Sequence, residues 1–111
     1  MVAPAEIEVD VFSGRPNPRG ALTVEQTDEI ATRLAAPIIP LEAPVPGLGY
    51  RGFLVHLDGG RRTFRVFRGV IRDERSGDTR LDADRQLERR LAEWAAAFVP
   101  AAMAEWLRTA D

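Results

Sequence analysis

His56 is the only histidine in the chain, so any scheme that moves a proton through an imidazole has to use it. Two short segments add side chains suited to holding an anion. In Phe12-Ser-Gly-Arg-Pro-Asn-Pro18 each proline biases the residue before it toward an extended backbone, so Arg15 and Asn17 are both held out on a stiff turn. A guanidinium held this way is a preformed fork for a carboxylate or phosphate, and Asn17 adds a donor and an acceptor. The same two residues could instead brace the loop against its neighbours.

Gly47-Leu-Gly-Tyr-Arg-Gly52 matches the letters G-x-G-x-x-G, but it follows prolines and opens a strand. A dinucleotide fingerprint follows a strand and opens a helix, so this match is rejected. What remains is Tyr50 and Arg51 on a second constrained loop, where an aromatic face and an arginine could line a recognition pocket. With Arg65 from a basic run, the candidate ligand- or partner-binding set is Arg15, Asn17, Tyr50, Arg51, His56 and Arg65.

Other chemistries are excluded or unsupported. There is no cysteine, which removes thiolate ligands, disulfides and thiol nucleophiles. All fifteen basic residues are arginine, a usage expected of a GC-rich bacterial coding sequence, so lysine Schiff-base chemistry is removed too. No H-x-H, H-E-x-x-H or EF-hand spacing supports a metal, and no cofactor pattern survives. Catalytic residues cannot be assigned, and whether the protein is an enzyme stays open.

Arg61, Arg62, Arg65, Arg68 and Arg72 follow one another without an intervening acid, although the net charge is −2. Such a ribbon could track a phosphate backbone, but an acidic chain lacks the usual footprint of nucleic-acid binders. The plainer reading is an arginine face balanced by acids on a neighbouring strand.

The elements that must position these residues can be read from periodicity. With 111 residues, 45% hydrophobic, the chain is sized for one domain over 1–111. From Glu6 to Phe12 apolar and polar residues alternate, giving a half-buried strand with an acidic face of Glu6, Glu8 and Asp10. Thr23 and Gln26 form a capping-box pattern that starts a helix running to about Ala35. Pro37 to Gly49 reads as a semi-rigid connector.

Arg51–Asp58 and Arg61–Gly69 flank a Gly-Gly loop and form a hairpin, with His56 opposite Thr63, Leu54 opposite Arg65, Val55 opposite Phe64 and Phe53 opposite Val66. Gly69 reads as a bulge that lets Val70 and Ile71 continue the strand or start another, and Ser76-Gly77-Asp78 as a further turn. On the polar face His56 would lie near Glu8 or Asp10, while Leu54, Phe12 and Phe67 would form either an open apolar patch or satellite core. A helix near 83–98, capped by Asp82 or Asp84, carries the stripe Leu87, Leu91, Trp94 and Phe98, and Pro100 breaks it. Met103, Trp106 and Leu107 then fold back onto the open side of the sheet, or dock a partner helix or a second copy of the chain.

The fold class expected is α+β: a two-layer sandwich with a three- to four-stranded antiparallel or mixed sheet and two to three helices on one face. No signal peptide or spanning helix is read, so a cytoplasmic location is expected. The expected function is a non-enzymatic binding or accessory module for a peptide or partner protein, using a sheet face or edge and the Arg15 and Tyr50 loops. The alternatives are a small metal-independent enzyme acting on an acidic small molecule, and a weak nucleic-acid binder using the Arg61–Arg72 ribbon.

Overall fold

The computed structural model describes residues 3–12, 14–45, 47 and 49–109, so Ser13, Pro46 and Leu48 of the loops above lie outside the described residues. Among those described, six strands form one antiparallel sheet: β1 (Glu6–Val9), β2 (Arg19–Ala21), β3 (Phe53–Leu57), β4 (Arg62–Phe67), β5 (Val70–Asp73) and β6 (Thr79–Leu81), in the order β2-β1-β3-β4-β5-β6. The α+β class holds, but six strands replace the three or four expected. The two unforeseen strands are three-residue edges, too short to show a period.

Edge strand β2 has a further reason to be illegible. Its core-side position is Gly20, and an added Cβ there would stand 2.3 Å from Cδ1 of Phe98. The apolar side chain that fills this part of the core therefore comes from far along the chain.

The β3–β4 register follows the alternation read from sequence, including His56 opposite Thr63 and Leu54 opposite Arg65. Its turn is longer than two residues: the strands stop at Leu57 and Arg62, and Asp58–Gly60 make a 3-10 turn. The register survives because Leu57 opposite Arg62 belongs to the same pairing. Gly69 is no bulge. Phe67 pairs with Val70, so Arg68 (φ 46°) and Gly69 (φ 86°) form the tight turn that opens β5.

Helix α1 (Val24–Leu34) begins on the expected capping box. Thr23 Oγ1 accepts from the Gln26 amide at 3.1 Å, and Gln26 Oε1 accepts from the Thr23 amide at 2.9 Å. Thr23→Ala should cost about 1 kcal/mol, read as a lower urea midpoint with an unchanged slope.

The helix expected over 83–98 is shorter, α2 (Gln86–Ala95), and is preceded by a 3-10 turn over Ala83–Arg85. Asp82 still serves its N-terminus from upstream, its carboxylate accepting from the Leu87 and Glu88 amides at 2.8 and 3.1 Å. After Pro100 the chain forms α3 (Ala101–Thr109), which packs on α2 and not on the open side of the sheet. Leu107 is buried there, whereas Trp106 stays 45% exposed.

The three helices among the described residues feed one core. Ile30 and Leu34, then Leu87, Leu91 and Ala95, then Leu107 meet Ile7, Val9, Phe53, Val55, Phe64 and Val66 from one face of the sheet. The opposite face carries Glu6, Glu8, Leu54, His56, Thr63, Arg65 and Arg72. Among the described residues no helix is long and apolar enough to cross a membrane.

Candidate functional site

A β-bulge decides which residues reach the open face. The Asp10 amide donates to the Gly52 carbonyl, but the Asp10 carbonyl accepts from the Arg51 amide, so one residue of the first strand faces two of the second. Strict alternation back from Phe53 would send Arg51 into the core and Tyr50 out of it. The bulge reverses this. Arg51 turns onto the polar face, and Tyr50 goes to the helix layer, so the two neighbours never share a pocket.

On the polar face a continuous hydrogen-bonded network crosses the sheet. Glu8 Oε1 lies 3.0 Å from His56 Nε2, and Thr63 Oγ1 lies 3.2 Å from His56 Nδ1. The charged Glu8 favours a proton on Nε2, which leaves Nδ1 to accept the Thr63 hydroxyl. Asn17 donates to Glu8 Oε2 at 2.9 Å and reaches Asp10 Oδ1 at 3.3 Å, while its Oδ1 accepts from the Val11 and Phe12 amides. Asn17 thus braces the stiff loop onto the sheet.

Asp10 is the hub. Only 6% exposed, it receives Arg51 Nη2 at 2.9 Å and Arg65 Nη1 at 2.7 Å. Arg65 also donates to Glu74 at 2.8 Å and to the Arg51 carbonyl at 2.8 Å, and Arg72 completes the row on Glu74 at 2.7 Å. Burial disfavours the Arg65 charge, but its bonds to Asp10 and Glu74 outweigh that and hold it more firmly protonated than usual. Arg51 Nε is buried without a hydrogen-bond partner among the described residues.

The Glu8 carboxyl is similarly balanced. Burial alone would raise it, yet hydrogen bonds from Asn17 and His56, aided by the charge of Arg19, hold it below its ordinary value of 4.5. A folded state that binds this proton more weakly than the unfolded chain gains stability above the ordinary carboxylate range and loses it as pH falls through the lower folded value. Asp82 has the opposite sign, pushed up by burial against the pull of two amides. Between about pH 5 and pH 3, Glu8→Gln should flatten the fall of the urea midpoint relative to wild type, a difference in which Asp82 cancels. An unchanged pH profile would remove Glu8 from the acid limb.

The six candidate residues therefore divide. Asn17, Arg51, His56 and Arg65 meet in one network. Arg15 is exposed beside it, its guanidinium 3.7 Å above the Phe12 ring. Tyr50 is elsewhere, edge-on to Phe53, Phe67 and Trp106 at 5.7–6.0 Å, with its hydroxyl donating to Glu88 at 2.5 Å. Burial, reinforced by the Glu88 charge, raises the Tyr50 phenol so that it stays protonated.

Phe67 is 2% exposed, packed on Tyr50 and beside Gly52, which leaves half-buried Leu54 and Phe12 as the apolar part of the open face. The arginine ribbon does not form one stripe. Arg62 turns toward Phe64, with 5.2 Å from its guanidinium to the ring centroid, while Arg65 and Arg72 sit on the polar face against acids.

Sequence reasoning did not find Glu74 or Glu88. Glu74 lies just past β5, where its place depends on the hairpin returning to β4. Glu88 lies next to Leu87 on α2, and its burial, which depends on Tyr50, Arg68 and Arg85, left no signal in the sequence. Among the described residues no group of three or more acidic or histidine side chains is arranged to hold a metal. Comparisons with protein-family models, with curated proteins and with solved structures found no match for this chain.

Proposed function

We propose that this protein is a non-enzymatic binding module that takes an extended peptide or partner-protein segment across the open sheet face, with Arg15 and Phe12 at one end of the track. The supporting observation is the division of the sheet: every helix packs on one face, and the other is a paved surface of paired charges around Leu54. Side chains already held by one another keep their positions when a ligand arrives, so little ordering entropy opposes binding. Glu8 and Asp10 with Arg65 and Arg72 offer both signs of charge, and these would set register and orientation more than affinity.

The test is selection of a random peptide display library on wild type, followed by amide chemical-shift mapping of the best peptide. Shifts should gather at Phe12, Arg15, Leu54, Arg65 and Arg72 and disappear in Arg15→Ala. Shifts confined to the helices, or no enrichment, would sink this reading.

One observation favours a second reading, a small metal-independent enzyme. The line from the Thr63 hydroxyl through His56 to Glu8 has the connectivity of a nucleophile, a base and an orienting carboxylate. Both imidazole nitrogens are occupied, however, and the shallow hollow beside Thr63 is lined by Gly60, Arg61, Glu74 and Arg75 without His56. Hydrolysis of an activated ester that is lost in both Thr63→Val and His56→Gln would favour the enzyme.

A further inference from the structure

A recess of about 320 Å3 lies between α2 and α3, on the opposite side of the molecule's layers from the network above. Its floor is the Glu88 carboxylate, 3% exposed, with the Tyr50 ring beside it and Leu107 and Ala92 as an apolar wall. Both oxygens of the carboxylate are engaged. Oε2 accepts the Tyr50 hydroxyl at 2.5 Å, and Oε1 accepts the Arg68 amide at 2.8 Å and Arg85 Nε at 3.0 Å. Three donors compensate the one buried acid, so the floor offers nothing to a cation or an amine.

The rim carries one acid, Glu93, already paired with Arg90 at 2.9 Å, and two arginines. Arg89 has no hydrogen-bond or ion-pair partner among the described residues, and Arg108 is held only by Glu105, one turn back on α3 and exposed. An exposed pair of that spacing is weak and is easily exchanged for a better acceptor.

Backbone strain converges on the same place. Among the described residues four non-glycine residues have positive φ, and two of them, Arg68 (46°) and Arg85 (56°), donate to Glu88. Left-handed backbone costs a non-glycine residue on the order of 1–2 kcal/mol, a cost borne here by two residues whose N–H groups hold the Glu88 carboxylate.

We infer that this recess binds a small aromatic carboxylate, its acid group bridging Arg89 and Arg108 and its ring lying on Leu107 and Ala92 next to Tyr50. The volume is at the lower end for small-molecule sites and suits a single ring with a short acidic arm. A guanidinium makes two parallel bonds to a planar carboxylate, which an ammonium rim could not. This site is separate from the peptide track, so either can fail without the other.

The probe is benzoate, compared with neutral benzamide and with inorganic phosphate. Titration should shift the amides of Ala92 and Leu107 and the Trp106 indole N–H saturably with benzoate. Benzamide should bind about tenfold or more weakly, and Arg89→Ala should weaken benzoate by about tenfold without moving the urea midpoint. Equal binding of benzamide, phosphate matching benzoate, or an Arg89→Ala affinity equal to wild type would each overturn the inference. So would shifts that map to the open sheet face.

Discussion

Gly52→Ala is expected to destabilise the protein by about 2–5 kcal/mol, the sum of a left-handed backbone cost and an overpacking cost. Gly52 has φ +92°, and an added Cβ would stand 2.5 Å from the Val66 carbonyl oxygen and 2.8 Å from Phe67 Cβ. Neither neighbour is the far end of a flexible side chain. The first is a strand carbonyl and the second is fixed to the backbone of β4, so relief requires moving β3 away from β4. Moving it would also disturb the bulge that sends Arg51 and Tyr50 to opposite faces.

Gly49→Ala is the control, because Gly49 has nearly the same φ, +91°, with nothing within 4 Å of the added Cβ. It should show only the backbone part, about 1–2 kcal/mol. Urea midpoints for the two variants separate the contributions. Equal losses in both would mean that the contact with Val66 and Phe67 is unimportant.

Asp10→Ala should cost about 2–4 kcal/mol, because it removes the one carboxylate shared by two guanidiniums, leaving Arg51 only the Phe12 carbonyl and Arg65 only Glu74 and the Arg51 carbonyl. Arg51 and Arg65 retain 32% and 24% side-chain exposure, which places the expected loss below that of a fully buried pair. Arg65→Ala should cost less, about 1–2 kcal/mol, since Asp10 would keep Arg51 and Asn17, and Glu74 would keep Arg72. The order of the two losses carries the claim. If Arg65→Ala proved the more damaging in urea melts at pH 7, Asp10 would not be the centre of the network.

The peptide track and the aromatic-acid site we propose lie in different layers and are read by different probes, so the variants that test one leave the other intact. Arg15 and Arg89 are both exposed and outside the core. Loss of binding in either substitution therefore reports on recognition and not on folding.

The amino-acid sequence by itself determined the features whose causes are local or strictly periodic. The capping box of Thr23 and Gln26 lies within one helical turn, and the alternation of Phe53, Val55 and Leu57 allows one burial pattern in the β3–β4 pairing. His56 opposite Thr63 follows from that pairing alone. Tertiary structure decided what depends on distant partners. Edge strands β2 and β6 exist because β1 and β5 offer them hydrogen bonds, and Gly20 makes room for Phe98 from beyond α2. The same holds for Glu88, whose burial among Tyr50, Arg68 and Arg85 no local pattern announces. It holds most clearly for Tyr50 and Arg51, adjacent in the chain and parted by a bulge that forms only when Asp10 meets both Arg51 and Gly52. A two-against-one pairing is a property of two strands together, so neither strand's sequence contains it alone.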